Sequence, residues 1–406
     1  MSEIKEFESI DGALRQLPKD DYDRVRKILY GNETHDIEVC EESKELASKY
    51  NIELITCGFN CRDEQLRSPK VVRVGLFQHK LVPFPTSTPI QEMKYALFKF
   101  ANKAVRIAAR GGVNIFCFPE LWNMPYAFCT REKTPWCEYA ESAQFGPTTK
   151  MLQELAQIHN MVIISPILER DEVHNDSIWN TAVVIDNHGD YLGKQRKNHI
   201  PKAGDVNEAI YCSEGNSGHP VFEVTPTLGY SLNFIRNNLQ TEYGKLGICY
   251  SRHHPLNSLV FGLNGAEIVF NPAAAGGAAN EPLWSIESRG AAIANGYFAC
   301  AVNRVGTEIF ENDFTSGDGK SPHRDSEYYF GSSYVTAPNG TRSPGLSRTK
   351  NGLLIAEMDL NLCRQVKDQW GFQMSHRLDL YAELLSRATR SDFTPQIVRK
   401  ACKQLN

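Results

Sequence analysis

Short apolar runs alternate with longer amphipathic stretches from about residue 71 onward. The short runs predict strands at 71–77, 114–118, 161–168, 181–186, 246–249, 267–271, 298–303, 333–337 and 353–359. Apolar residues at helical spacing predict helices over 90–110, 148–159, 256–263 and 284–294. Strands interleaved with helices in this way indicate an α/β protein.

Turn-forming residues separate several of these elements. The Gly111-Gly112 pair is typical of a helix C-terminus and ends the 90–110 helix. The Asn-His-Gly-Asp run at 187–190 lies between two extended stretches and predicts a hairpin, so the sheet should be mixed. We find no internal repeat, low-complexity tract or linker, and we predict one α/β domain over 71–390 followed by a C-terminal tail over 391–406.

The first 70 residues have a different texture. They form charged pieces of helical character, interrupted at Leu17-Pro18 and Gly31-Asn32. No stretch shows the alternation expected of a strand, so we predict a helical N-terminal extension over 1–70 that lies outside the core.

Composition and charge exclude several classes of protein. The 406-residue chain has 44 Lys and Arg against 48 Asp and Glu, a net charge of −4, and is 41% hydrophobic. It has no apolar run of about 18 residues, the length that would span a membrane, and no basic bias toward nucleic acid. The charged N-terminus lacks the apolar core of a secretory signal, so we expect a soluble, cytoplasmic protein.

The cysteines are the first residues to consider as reactive groups. The chain has 11 of them, an odd number that favours reduced thiols. Cys57 and Cys61 lack a second Cys/His pair at zinc-finger spacing, and several of the others lie in apolar runs, where cysteine packs as a small hydrophobe. We therefore ask whether one of them is a nucleophile.

Three polar residues follow predicted strands. Glu120 comes after the 114–118 run, Lys197 ends the second arm of the hairpin, and Cys249 ends the 246–249 run. Open α/β sheets place ligands at the carboxyl ends of strands. A carboxylate can accept a thiol proton and an ammonium can stabilise an oxyanion, which together suit acyl transfer from an amide-like carbonyl. A solvated glutamate, a surface lysine and an inert buried cysteine are the structural alternatives, and spacing alone does not decide between them.

Short motifs decide in favour of the first interpretation. Residues 118–120, 197 and 248–250 resemble the Glu–Lys–Cys triad of the nitrilase (carbon–nitrogen hydrolase) superfamily. Further stretches resemble the branch of that superfamily that hydrolyses N-carbamoyl-β-amino acids, and they occur in order at 124–133, 165–171, 196–201, 249–257, 303–308 and 314–320.

The resemblance implies a fold, a reaction and an assembly. The fold is a four-layer αββα sandwich with two sheets face to face. The reaction converts N-carbamoyl-β-alanine or N-carbamoyl-β-aminoisobutyrate to the β-amino acid, carbon dioxide and ammonia, the last step of reductive pyrimidine degradation, without a cofactor. The assembly is a homodimer or a larger homo-oligomer with the terminal extensions at its interfaces.

The resemblance also assigns roles. Glu120 is the general base, Cys249 attacks the carbamoyl carbon, and Lys197 and the backbone N–H after the nucleophile hold the oxyanion. Glu208 is a supporting carboxylate.

The substrate carboxylate needs a cationic partner, for which a guanidinium is well shaped. Arg131 is the first choice, with Arg252 and Arg304 as rivals, and His174 is predicted to donate a hydrogen bond to the ureido group. A structural ion pair or core hydrogen bond is the alternative for each. The adjacent His253 and His254 could suggest a metal, but neighbouring residues rarely point at one ion and no carboxylate is suitably spaced, so we predict none.

One segment departs from the family pattern. Residues 225–240 are inserted before the nucleophile, and the strand leading to Cys249 is about two residues short. A two-residue loss keeps each side chain on its face but shortens the strand by about 6–7 Å. The insert could be a surface loop, 233–240 could replace the strand residues, or the gene model could be altered. The alternatives for function are another nitrilase-type amidase, such as an N-carbamoyl-α-amino acid hydrolase, and a catalytically impaired member acting as a subunit.

Overall fold

The computed structural model describes residues 8–81, 84–85, 87–203, 206–224, 243–315, 319 and 321–398. Its strands are β1 (Thr34–His35), β2 (Glu53–Phe59), β3 (Val71–Gln78), β4 (Ile115–Cys117), β5 (Val162–Asp171), β6 (Ser177–Ile185), β7 (Tyr191–Arg196), β8 (Lys202–Ala203), β9 (Val206–Asn207), β10 (Val221–Val224), β11 (Gly244–Ile248), β12 (Ile268–Pro272), β13 (Phe298–Val302), β14 (Val305–Gly306), β15 (Ile309–Phe314), β16 (His323–Asp325), β17 (Tyr329–Phe330), β18 (Tyr334–Thr336) and β19 (Gly352–Asp359).

The helices are α1 (Ile10–Leu14), α2 (Lys19–Tyr30), α3 (Glu41–Lys49), α4 (Ile90–Arg110), α5 (Pro147–His159), α6 (Pro255–Leu263), α7 (Glu281–Asn295), α8 (Asn361–Trp370) and α9 (Leu378–Ala388). Short 3-10 turns occur at Ala127–Cys129, Trp136–Tyr139, Glu172–His174, Glu208–Ile210 and Phe372–Ser375. No helix among the described residues is long and apolar enough to cross a membrane.

The first sheet has the strand order β1-β2-β19-β3-β4-β5-β6-β7. Strands β3, β4 and β5 run parallel, β6 runs against them, and β7 returns in their direction. The carboxyl ends of β4 and β7 therefore lie at the same edge of the sheet, which is the edge that positions Glu120 and Lys197.

The second sheet has the order β10-β11-β12-β13-β18. Strands β11, β12 and β13 are parallel, and an antiparallel strand closes each side. Cys249 directly follows β11, at the carboxyl end of the parallel part.

The two sheets pack face to face and helices cover their outer faces. Side chains such as Val74 and Ile164 of the first sheet share one apolar core with Ile248 and Phe270 of the second. Residues of α4 and α5 pack on the outside of the first sheet. Phe261 of α6 and Ala292 of α7 pack outside the second. The four-layer αββα sandwich is confirmed.

The hydrophobic pattern located most strands of the two large sheets and the helices α4–α7. The 90–110 helix has the predicted bounds, and the other predicted helices and strands differ from α5–α7 and from the core strands by a few residues at their ends. The 187–190 hairpin joins β6 to β7. Its Gly189 has φ 87°, and a Cβ there would lie 2.7 Å from the carbonyl oxygen of Gln153, so this turn needs glycine.

The prediction that the first 70 residues contain no strand is wrong. Although α1, α2 and α3 are helical, β2 enters the first sheet between β1 and β19 and pairs in parallel with β19. Both faces of β2 are at least partly covered, so its run from Glu53 to Phe59 lacks the apolar–polar alternation on which the prediction relied.

The chain divides into two compact units, Met1–Val366 and Lys367–Asn406. The first contains both sheets. The second contains the end of α8 and all of α9, where Leu380, Tyr381 and Leu384 are about half exposed. The inserted segment, 225–240, lies outside the described residues.

Candidate active site

Glu120, Lys197 and Glu208 meet at the carboxyl edge of the first sheet. The backbone N–H of Lys197 donates to the carbonyl of Asn180 on β6, which extends the ladder one residue beyond β7. The Lys197 Nζ donates to Glu120 Oε1 at 2.7 Å and to Glu208 Oε1 at 2.5 Å. All three side chains are buried. The structure therefore brings together three of the four predicted catalytic residues.

Further donors complete the cluster. Asn180 Nδ2 donates to Glu120 Oε1 at 2.6 Å and to Glu208 Oε2 at 3.2 Å. The Tyr126 hydroxyl donates to Glu208 Oε1 at 2.5 Å, and the Ala274 N–H donates to Glu120 Oε2 at 3.0 Å. Every carboxylate oxygen thus has at least one donor, which is the condition for keeping two acids buried.

The charges of the cluster shift its pKa values. Burial lowers the pKa of Lys197, but the carboxylates of Glu120 and Glu208 outweigh burial, and the net pKa lies above its usual range. Burial raises the pKa of Glu208, Lys197 lowers it and Glu120 raises it, with a net increase. At neutral pH Lys197 is therefore an ammonium ion.

Arg304 holds the Glu120 loop. Its Nε donates to the Glu120 carbonyl at 2.9 Å, and its Nη2 donates to the carbonyls of Met124, at 2.8 Å, and Leu121. Its Nη1 pairs with Glu308. Because these contacts use the donors of the guanidinium, Arg304 is a structural clamp and not the partner of a substrate carboxylate.

A cavity of about 480 Å³ opens beside the cluster. Glu120, Lys197 and Glu208 form one side of it. The segment from Tyr250 to His254, which directly follows Cys249, lines it as well. The cavity is therefore bounded by residues that follow strands of both sheets.

Cys249 lies behind that segment. Its neighbours Ile248 and Tyr250 pack in the core between the sheets, whereas Cys249 packs with Phe261 of α6 and with Tyr297. Alternation along a strand explains the difference, since successive side chains point to opposite faces. Among the described residues, the thiol contacts neither Glu120 nor Lys197. The structure therefore does not join the fourth predicted residue to the other three.

Polar groups of α6 surround the thiol. Asn257 Nδ2 lies 3.1 Å from Cys249 Sγ, and Ser258 Oγ lies 4.0 Å from it. Burial raises the pKa of Cys249 to about 11, although Asn257, Ser258, the Ser251 N–H and Arg252 all lower it. The thiol is therefore protonated at neutral pH, and nucleophilic attack requires a base.

Arg252 faces the cavity with a largely buried guanidinium. Its Nε lies 2.9 Å from Glu287 Oε2, although the pair is not aligned as a hydrogen bond, and its Cζ lies 5.0 Å from the centre of the Trp284 ring. Burial lowers the pKa of Arg252 despite the raising effects of Glu287 and Glu120. An incompletely partnered cation of this kind suits an anionic ligand.

Arg131 and His174 lie elsewhere. Neither lines the cavity. Arg131 follows the 3-10 turn Ala127–Cys129 with φ 60°. His174 is about half exposed, with Nδ1 3.1 Å from Asp171 Oδ2 and its ring against Trp179. Their predicted contacts with substrate remain predictions that the placement of the two side chains does not favour.

The neighbouring histidines point to different partners. His253 Nδ1 lies 2.5 Å from Glu287 Oε1, while the His254 ring stacks on His199 at 3.9 Å. Among the residues with described positions, no group of three or more His, Cys, Asp or Glu could hold a metal ion.

Asn180, Tyr126 and Asn257 are functional candidates that were not predicted from the sequence. Asn180 had a usable signal, because an amide between Trp179 and Thr181 in an otherwise apolar strand is buried and needs partners. The role of the Ala274 N–H had no signal, since any residue type supplies it.

The chain matches the family model described as carbon–nitrogen hydrolase over residues 86–368. It belongs to that family, and it is an enzyme of the carbon–nitrogen hydrolase type. It is 50% identical over 383 residues to the β-ureidopropionase of Arabidopsis thaliana, an alignment that covers 93% of this chain and 89% of the relative.

More distant relatives support the same family. The N-carbamoylputrescine amidase of Solanum tuberosum is 30% identical, covering 70% of this chain and 88% of the relative. The crystal structure of a carbon–nitrogen hydrolase from Helicobacter pylori G27 matches with a TM-score of 0.57 and 26% identity, over 78% of this chain and 98% of that one. The Saccharomyces cerevisiae nitrilase-superfamily protein Nit3 matches in fold with a TM-score of 0.53, at 19% identity, over 76% of this chain and 97% of that one.

Proposed function

We propose that the enzyme hydrolyses N-carbamoyl-β-alanine, and also N-carbamoyl-β-aminoisobutyrate, to the β-amino acid, carbon dioxide and ammonia. The observation that carries the proposal is the buried Glu120–Lys197–Glu208 cluster beside a cavity that Arg252 also lines. The similarity to a β-ureidopropionase supports this choice of substrate.

The first half of the reaction releases ammonia. Glu120 takes the proton of the Cys249 thiol as the sulfur bonds to the carbamoyl carbon. The carbonyl oxygen becomes an oxyanion, which the Lys197 ammonium and a backbone N–H after Cys249 stabilise. The C–N bond to the terminal nitrogen breaks, and that nitrogen leaves as ammonia with the proton held by Glu120. A thiocarbamate ester of Cys249 remains.

The second half returns the free enzyme. Glu120 accepts a proton from water as the water oxygen attacks the thiocarbamate carbon, and the C–S bond breaks with return of a proton to sulfur. The product carbamate loses carbon dioxide to give the β-amino acid. Glu208 and Asn180 contact Glu120 or Lys197 and not the reacting atoms, so they are positioning residues in this scheme.

The scheme requires the thiol to enter the cavity. Cys249 packs against α6, while the following residues from Tyr250 to Arg252 form the cavity wall. We propose that the segment 249–252 turns during the reaction, so that the sulfur replaces the Tyr250 side chain near Lys197. The Tyr250 ring centre lies 5.9 Å from Lys197 Nζ, so the position that the sulfur would take is beside the ammonium.

Arg252 is the proposed partner of the substrate carboxylate, in preference to Arg131. Glu287 lies 2.9 Å from the Nε of the guanidinium. In the proposal, the Nη edge binds the substrate carboxylate as a second, bidentate partner. A substrate held this way has its carbamoyl group toward Lys197 and its carboxylate at Arg252, both of which line the cavity. The distance between the two cations then selects the chain length of the amino acid.

The larger setting follows the same proposal. Release of a β-amino acid from its carbamoyl derivative is the last step of reductive pyrimidine degradation. We also propose a homodimer or larger homo-oligomer, which rests on the resemblance to the nitrilase superfamily. Leu263 of α6 and Ile286 of α7 are exposed apolar side chains that such an interface would cover. Light scattering coupled to size-exclusion chromatography measures that assembly.

Ammonia release from three ureido compounds tests the substrate. N-carbamoyl-β-alanine should have the highest kcat/KM, N-carbamoyl-alanine a lower one because its carboxylate is one carbon nearer, and N-carbamoylputrescine the lowest because its terminal ammonium is repelled by Arg252. A higher kcat/KM for either of the other two compounds would replace the proposed substrate. No turnover of any of them would favour an impaired family member acting as a subunit.

A further inference from the structure

Asn257 lies in the first turn of α6, and its side chain is buried beside the nucleophile. Its Nδ2 lies 3.1 Å from Cys249 Sγ. We propose that Asn257 donates a hydrogen bond to the Cys249 sulfur and stabilises the thiolate, held in that orientation by Asn198 and His219. The inference rests on the proposed function, because it takes Cys249 to be the nucleophile.

The orientation of the Asn257 amide is fixed by its other side. Its Oδ1 lies 3.1 Å from Asn198 Nδ2 and 2.5 Å from His219 Nε2. An amide oxygen only accepts, so His219 Nε2 must carry the hydrogen. If the amide were reversed, its NH₂ group would face the NH₂ group of Asn198, and neither could accept.

Asn198 is itself held by a carbonyl group. Its Nδ2 lies 3.2 Å from the Gly218 carbonyl oxygen, and its Oδ1 lies 3.2 Å from Gln195 Nε2. The nitrogen of Asn198 therefore faces Asn257, and the chain of donors has a single direction that ends at the Cys249 sulfur. Amide orientations are ordinarily assigned from such networks, and here the backbone carbonyl settles the assignment.

The network also joins the two halves of the site. Asn198 directly follows Lys197 of the carboxylate cluster, and Asn257 contacts Cys249. A donor aimed at sulfur stabilises the thiolate more than the thiol, so it lowers the pKa of Cys249 while the thiol packs against α6. Arg252 also lowers the pKa of the Cys249 thiol. Tyr297 is the other titratable group that packs against this thiol.

The test measures how fast iodoacetamide alkylates Cys249 at a series of pH values, with the Cys249 peptide followed by mass spectrometry. Asn257→Leu removes the donor without adding charge, and Asn257→Asp keeps the shape but puts an anion beside the sulfur. At pH 8 we expect alkylation of the Leu variant to be about tenfold slower, since each unit of pKa changes the thiolate fraction about tenfold below the pKa. The Asp variant should be slower still.

The control and the pH dependence separate this role from a structural one. Asn187 lies in the β6–β7 hairpin, and Asn187→Asp removes a buried amide that donates to Asn160. Iodoacetamide should alkylate Cys249 of this variant as fast as in the unmodified protein. The rate difference of the Leu variant should narrow as the pH rises toward the thiol pKa. A difference of the same size at every pH, or no difference in either variant, overturns the proposal. The alkylation result does not depend on turnover, so failure of the proposed function appears separately as absent ammonia release.

Discussion

The two halves of the site differ in how far their chemistry is assembled. At the edge of the first sheet, Glu120, Lys197 and Glu208 form a buried cluster in which every carboxylate oxygen has a donor. At the edge of the second sheet, the Cys249 thiol lies under α6, protonated and hydrogen-bonded to Asn257. For the proposed reaction, the half with the carboxylates is already assembled, and the half with the thiol is not.

The difference follows from what each half must bury. Two carboxylates and an ammonium are stable inside a protein only when they are paired and hydrogen-bonded, so the cluster depends on keeping these contacts. A neutral thiol packs as a small apolar group and is stable on either side of a strand. In the proposed reaction the segment 249–252 therefore turns the cysteine, whereas the carboxylate cluster stays in place.

The largest expected effect comes from removing the thiol. Cys249→Ala should reduce ammonia release from N-carbamoyl-β-alanine by at least about 10³-fold, because no other group forms the covalent intermediate. The matched control is Cys212→Ala, since Cys212 is also buried and lies near Glu208. The control should retain activity, and equal losses in the two variants would remove the special role of Cys249.

Breaking the cluster should affect both stability and activity. Lys197→Met leaves two buried carboxylates without their cation, so we expect the free energy of unfolding to fall by about 3–5 kcal/mol and turnover to be lost. Chemical denaturation measures the first and ammonia release the second. Lys194→Met is the comparison, because Lys194 is more exposed and pairs with Glu169 and Asp171. An equal loss of stability in the two variants would contradict the account.

Arg252→Met should weaken substrate binding more than it changes chemistry. Loss of a charge-assisted contact of about 1.5–3 kcal/mol predicts a KM for N-carbamoyl-β-alanine that is roughly 10- to 150-fold higher. Propylurea, which lacks the carboxylate, should be bound equally weakly by both proteins. If Arg131→Met raises the KM and Arg252→Met does not, the carboxylate lies at Arg131 as the sequence analysis predicted.

The smallest expected effect comes from replacing His199, whose ring stacks on His254 between the two halves of the site. Burial lowers the pKa of His199, and the neighbouring His254 and His219 lower it further. The unfolded chain therefore binds more protons than the folded one as the pH falls through about 6.5, and stability decreases there. His199→Asn should lessen the fall in Tm between pH 7.5 and pH 5.5, by about 1 °C. An unchanged fall would exclude His199 as its source.

The residue pattern predicted an α/β protein, whereas the four-layer sandwich and the grouping of Glu120, Lys197 and Glu208 followed from the resemblance to the nitrilase superfamily. Apolar periodicity located the core strands, and the polar residues after β4 and β7 marked the common sheet edge. It could not show that Cys249 faces α6, because that depends on the phase of one short strand relative to the cavity. It also missed β2, where Thr56 and Cys57 lie in a strand covered on both sides.

The sequence alone also could not show which arginine lies where the substrate carboxylate would bind. Arg131, Arg252 and Arg304 all lie in motifs typical of the family. Only the fold shows that the donors of Arg304 are used by carbonyls around Glu120, and that Arg252 lines the cavity.

The central claim is that the thiol of Cys249 reaches the carboxylate cluster during turnover. Acid quenching of the enzyme while it turns over N-carbamoyl-β-alanine, followed by peptide mass spectrometry, tests this directly. The account predicts a thiocarbamate adduct of the substrate on the Cys249 peptide. Ammonia release with an adduct on another cysteine, such as Cys212, would contradict it.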